Sequence, residues 1–263
     1  MGRTIQDVID RIISAVPGAP QEDSVDTLKS GDPQQEVTGI VTTFTATMGV
    51  LRRAVELNAN LIITHEPTFY DHHDCTDWLQ NDSVYQAKRD FIARHNLALW
   101  RFHDYWHMYQ PDGIITGMVK ALGWEAYRQP EPSALLIIPG MTVAQVVATV
   151  KERLALPTLR VVGSPEQSCE RIALLMGAWG KEKQFQAFID WKVDAVICGE
   201  TVEWATCEYV RDAIALGENK SLVIVGHAKS EEEGMHYLVE WLQPQLPNIP
   251  LTYLAVGDPV TTL

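Results

Sequence analysis

Ala59-Asn60-Leu61-Ile62-Ile63-Thr64-His65-Glu66-Pro67 is the stretch that decides the fold. Leu61 to Ile63 reads as a buried strand, of the kind found inside parallel sheets. Pro67 ends any regular pairing. His65 and Glu66 therefore stand just past the carboxyl end of a strand, where open α/β sheets handle their ligands.

Outward from this stretch the pattern repeats. Strands are expected at 39–44, 97–102, 135–138 (halted by Pro139-Gly140), 159–162, 172–176, 195–198, 222–225 and 251–256. Between them fall helical repeats at 4–16, 47–57, 84–95, 114–122, 142–154, 181–191, 202–216 and 231–242. Such alternation predicts an α/β protein, its strands and helices forming two similar, packed α/β lobes with mixed, largely parallel sheets. The Pro-rich run Gln129-Pro130-Glu131-Pro132 sets the expected boundary, giving lobes 1–128 and 129–263. Residues 39–66 and 171–200 share the order strand, turn, helix, strand, glutamate. Any two β-α-β units look alike; the alternative is a duplicated unit whose strand ends face a shared cleft.

The totals exclude several classes. The chain has 263 residues, 46% of them hydrophobic, enough for a substantial core. No run of about 18 apolar residues appears, so no membrane span is expected. A formal net charge of −13 without a basic patch argues against nucleic acid and suits a site that gathers cations. Four cysteines show no Cys-x-x-Cys spacing, and the chain opens as an ordinary helix; the expected location is cytoplasmic. The zinc-protease, phosphate-loop, nucleophile-elbow and dinucleotide patterns are all absent.

The strand ends carry the functional signal. Of the six longer strands from Gly39 to Val225, leaving out 135–138 and 159–162, four finish on histidine or carboxylate: His65-Glu66, His103-Asp104, Glu200 and His227. Imidazole with carboxylate suits zinc, manganese or iron. His103 and His107 are four apart with Asp104 between them. His227 and Glu231 are also four apart, so a helical turn would put both on one face. Glu232 and Glu233 are expected to complement the positive end of that helix. Asp71-His72-His73-Asp74 lies in a polar loop read as remote from any strand end, with a lid as its functional alternative. Asp26 and Asp32 read as turn residues.

These motifs resemble the Nif-three-like dinuclear metal centre hexameric proteins, often labelled GTP cyclohydrolase I type 2. The likeness runs through Gly31-Asp32-Pro33, Asn60 to Pro67, Ile197-Cys198-Gly199-Glu200 and Gly226-His227-Ala228-Lys229-Ser230-Glu231. It implies one or two divalent ions (zinc, iron or manganese) held by residues among His65, Glu66, Asp104, His107, His227 and Glu231. It also implies that the C-terminal His-x-x-x-Glu joins the metal site of the first lobe. Glu66 stands where the family has a second histidine, and His107 where it has a ligand aspartate. Either Asp104, Glu66 or Glu231 bridges two ions, or one ion is held firmly.

The resemblance further implies a homo-oligomer, a ring of six, acting on a small molecule and using neither nucleic acid nor membrane. The expected activity is metal-dependent hydrolysis of a nucleotide or related heterocycle, GTP cyclohydrolase-like, with Glu66 or His103 as catalytic proton relays. The alternatives are a metal carrier or chaperone and a ring-shaped scaffold.

Overall fold

The computed structural model describes residues 2–260. In chain order the first elements are α1 (Ile5–Ile13), β1 (Leu28–Ser30), β2 (Ile40–Thr43), α2 (Met48–Glu56), β3 (Leu61–Thr64), α3 (Ser83–Arg94), β4 (Ala98–Arg101) and α4 (Asp104–Met108). They continue with α5 (Gly113–Leu122), β5 (Leu135–Thr142), α6 (Val143–Arg153), β6 (Arg160–Val162), β7 (Ser168–Leu175) and α7 (Gly180–Ile189). The last are β8 (Ala195–Cys198), α8 (Glu208–Ala215), β9 (Ser221–Ile224), α9 (His227–Leu242) and β10 (Leu251–Tyr253).

The chain divides into two compact units. One takes in the residues up to Gly113 together with Met235–Val256; the other holds Ile114–Gly234 and the tail from Gly257. The expected boundary at 128/129 falls inside the second unit. There Gln129 N–H bonds to the Leu135 carbonyl at 2.9 Å, so the Pro-rich run leads directly into β5.

Each unit is built on one five-stranded mixed sheet. The first runs β1-β4-β3-β2-β10, parallel from β10 through β4, with β1 antiparallel on its edge. The second runs β5-β7-β8-β9-β6, with β7, β8 and β9 parallel and an antiparallel strand on each edge. β2, β3, β4, β8 and β9 are buried at every residue, as parallel strands covered on both faces must be. Val41, Ile62 and Leu99 of the first sheet pack with Val50, Leu51 and Ala54 of α2 and Ile92 of α3. In the second unit Ala187 and Phe188 of α7 and Val210 of α8 pack on Ala173, Val196 and Leu222.

Four elements differ from expectation. Pro139-Gly140 does not halt β5; the strand slips register between Ile137 and Met141 and continues to Thr142, which an edge strand tolerates. β1 lies within the polar stretch 21–36, and α4 follows His103 without a break. α9 begins at His227, one turn before the expected 231, because Gly226 turns the chain at φ +97°.

Candidate metal centre

In the first unit three imidazoles converge. β3 ends at Thr64 and delivers His65, which is fully buried. β4 ends at Arg101 and delivers His103, the N-terminal flank of α4. His107 follows one helical turn later, on the same face. The His65 and His103 rings stack at 4.5 Å; His107 stands 5.0 Å from His65 and 5.1 Å from His103. One nitrogen from each ring lies within 4.8 Å of the others, which is ligand spacing for a common cation.

Each ring is oriented by an acceptor on its Nδ1. His103 Nδ1 lies 2.9 Å from Asp104 Oδ1, His107 Nδ1 2.9 Å from Asp112 Oδ2, and His65 Nδ1 3.3 Å from the Phe102 carbonyl. A carbonyl or carboxylate only accepts, so Nδ1 carries the proton in all three and Nε2 keeps the lone pair a cation would need. Burial, more than any neighbouring charge, holds the His103 imidazole down to about 4, so it is neutral at pH 7.

Asp104 does not join the imidazoles. Its Oδ1 faces His103, and its Oδ2 accepts from Ser24 Oγ and the Val25 N–H, both at 3.0 Å. The His103 hydrogen bond, with those donors behind it, drives its carboxyl far below the ordinary carboxylate range. Glu66 lies at the rim, its Oε1 3.8 Å from His103 Nε2 and its Oε2 3.9 Å from the buried Arg101 guanidinium.

Asp26 organises this turn, and no local signal announced it. Its Oδ1 accepts the N–H groups of His103 (2.7 Å) and Asp104 (3.0 Å), and its Oδ2 that of Tyr105 (2.8 Å). It caps α4 across 77 positions of sequence. Burial raises its pKa, against the lowering effect of those three bonds. Asp112 lies only five residues beyond His107, close enough in sequence for the pairing of histidine and carboxylate to be legible there.

The 71–74 loop is not remote. Arg101, fully buried at the end of β4, donates Nε to the His65 carbonyl at 3.0 Å and Nη1 to the His72 carbonyl at 2.6 Å. This brings the His72 ring to 5.4 Å from His103. Lys88, buried between the rings of Phe69 and Tyr70, donates to the Thr68 carbonyl at 2.5 Å and holds the loop's root.

In the second unit, α9 sets His227 and Glu231 on one face, as their spacing predicted. His227 Nε2 lies 3.2 Å from Glu231 Oε2, and His227 Nδ1 lies 2.8 Å from Glu200 Oε1. Glu200, at the end of β8, thus plays for His227 the orienting part that Asp104 plays for His103. Ser230 Oγ donates to the His227 carbonyl at 2.7 Å and accepts the Gly177 N–H at 2.8 Å. Gly177, at φ +71°, passes so close that a Cβ there would sit 2.0 Å from Glu231 Oε1. Glu232, expected to complement the helix's positive end, is buried, pairs with Lys229 at 2.7 Å and accepts the Gly257 N–H at 2.8 Å.

Oriented imidazoles in the first unit, and a histidine paired with a buried carboxylate in the second, are each donor chemistry that fits a divalent cation of the zinc or iron kind. By fold and donor chemistry the chain is a candidate metal-binding α/β protein. Residues 3–256 match the Duf34/NIF3 (NGG1p interacting factor 3) family, and the chain belongs to that family. It is similar to the GTP cyclohydrolase 1 type 2 homolog of Clostridium perfringens, 25% identical over 218 residues covering 78% of this chain and 77% of the relative. The homolog so named in Clostridium acetobutylicum is 24% identical over 243 residues, 88% of this chain and 86% of the relative. Among solved structures a Staphylococcus aureus protein superposes with a TM-score of 0.80 at 19% identity, covering all of both chains. A Bacillus cereus protein related to NIF3 gives a TM-score of 0.79 at 15% identity, covering 99% of each chain. Among the described residues no helix is long and apolar enough to cross a membrane.

Proposed function

We propose that the protein is a metal-dependent hydrolase acting on a nucleotide or related heterocycle. Its cation ligands are His65, His103 and His107 in the first unit and His227 and Glu231 in the second. The observation that carries this reading is the shared orientation of the first unit's three imidazoles. His65, His103 and His107 each set Nδ1 against an acceptor, which leaves Nε2 in each as the coordinating atom. Histidines that merely fill a core have no reason to share one tautomer.

A bound divalent cation supplies Lewis acidity and makes a coordinated water more acidic, toward a pKa of about 7. The chain's own residues do the rest. Asp104 and Asp112 fix the tautomers of His103 and His107 and raise their ring basicity, and Glu200 orients His227. Glu66, facing His103 Nε2 from 3.8 Å and the Arg101 guanidinium from 3.9 Å, is placed to take and return a proton. The relatives named GTP cyclohydrolase 1 type 2 homolog support a guanine nucleotide as the first substrate to assay. A homo-oligomeric ring of six belongs to the same proposal and is tested by light scattering.

Elemental analysis with turnover assays tests the function. Hydrolysis should vanish with chelator and return with zinc, iron or manganese. It should fall about 10²-fold or more in Glu66→Gln while metal content stays at the wild-type ratio. Metal-free protein after exposure to all three ions, or full turnover in Glu66→Gln, would end the proposal.

A further inference from the structure

His72 stands beside the first unit's imidazoles and breaks their pattern. Its Nδ1 lies 3.2 Å from Arg101 Nη2. A guanidinium carries donors only, so here Nδ1 must accept, and the proton of the neutral ring sits on Nε2. This is the reverse of His65, His103 and His107, whose Nδ1 atoms donate. A neutral imidazole with N–H at Nε2 and its Nδ1 lone pair engaged by arginine has no nitrogen left for a metal. What it has is a donor.

The donor is held, not loose. The carbonyl of His72 accepts from Arg101 Nη1 at 2.6 Å, so one buried guanidinium fixes both the backbone and the ring of the residue. Asp71 Oδ1 accepts the N–H groups of His73 and Cys75, each at 2.9 Å, which shapes the loop around it. Asp74 pairs with Lys29, tying the loop's far end to β1. The ring meets His103 edge to face at 5.4 Å. A fixed N–H beside an arginine cation suits an oxygen that bears negative charge.

We propose that His72 is an oxyanion-binding residue of the site: its Nε2–H donates to a phosphate or carboxylate oxygen of the bound small molecule, and it is not a metal ligand. The proposal rests on the metal-site reading for its surroundings and narrows the substrate to an oxyanion-bearing one.

The test uses the full-length, zinc-loaded protein with inorganic phosphate as the probe. Metal content and phosphate affinity are measured by elemental analysis and calorimetry for wild type, His72→Ala and His72→Gln. The expected result is an unchanged metal ratio in both variants. Phosphate binding should weaken roughly tenfold or more in His72→Ala and return to within about threefold of wild type in His72→Gln, which restores an N–H donor. Loss of metal in both variants would make His72 a ligand and overturn the proposal while leaving the metal site standing. Equal phosphate affinity in all three proteins, or none in wild type, would also overturn it. A wild type that takes up no metal is the separate failure of the metal-site reading. Because His72 is exposed and its neighbours bind its backbone, both variants are expected to fold; thermal melting checks this.

Discussion

Replacing Asp26 by asparagine tests how the first unit holds its imidazoles. The carboxylate is 6% exposed and receives three backbone N–H groups at 2.7, 3.0 and 2.8 Å. An amide has one acceptor oxygen. Whichever way it is seated, its NH2 faces at least one N–H, so at least one buried donor is left without a bond, at about 1–3 kcal/mol. The lost negative charge at the start of α4 adds about 0.3–1 kcal/mol. A destabilisation of ~2–4 kcal/mol is expected. It should be local, because α4 has five residues and cannot stand without its cap. Hydrogen exchange read by mass spectrometry should show the amides of 103–108 losing roughly 30-fold or more in protection, with metal affinity falling alongside. Asp32→Asn is the control. That carboxylate accepts a single N–H, from Gln34 at 2.9 Å in an exposed turn, and the change should cost under about 0.5 kcal/mol. If Asp26→Asn matches this control, with residues 103–105 as protected as before, the account of α4 is wrong.

Gly177→Ala should drive the Glu231 carboxylate from its place and also bear about 1–2 kcal/mol of backbone strain at φ +71°; Gly217→Ala, at φ +83° in open space, should show the strain alone and keep full metal content by elemental analysis. Burial pulls Lys88 down to about 8 from an ordinary 10.5, so between those values the unfolded chain holds more proton and stability should rise with pH; urea unfolding of Lys88→Met should lack that rise. Thiol labelling of the native protein should modify exposed Cys75 within minutes. It should spare Cys198, whose buried thiol is pushed up to about 12, until the protein unfolds.

The architecture was legible because central parallel strands write themselves as short, predominantly apolar runs. Leu61–Thr64, Ala195–Cys198 and Ser221–Ile224 are such runs, and each is buried throughout. β1 was not legible, because its three residues are half-buried on an edge and carry no alternation. Strand ends could be found the same way as strands, so His65, His103, Glu200 and His227 were all visible as candidates. The direction of a side chain was not. His103, Asp104 and His107 look equivalent on the page. On α4, however, residues three or four apart share a face and adjacent ones diverge by about 100°, which turns Asp104 toward Ser24 and Val25 and away from the imidazoles. Nor could local patterning disclose Asp26, whose partners lie 77 to 79 positions away.

The same geometry explains how the chain can depart from its family's motif without losing the donor chemistry. Where the resemblance calls for a ligand aspartate this chain has His107, and a neutral imidazole brings a donor atom without a charge. The carboxylates are still present but one bond further out. Asp104 stands behind His103, Asp112 behind His107 and Glu200 behind His227. A carboxylate hydrogen-bonded to Nδ1–H passes part of its charge through the ring and increases the basicity of Nε2. The exchange of aspartate for histidine therefore moves anionic charge outward and does not remove it. It also changes which cations are favoured, because imidazole nitrogen serves zinc and iron well and magnesium or calcium poorly.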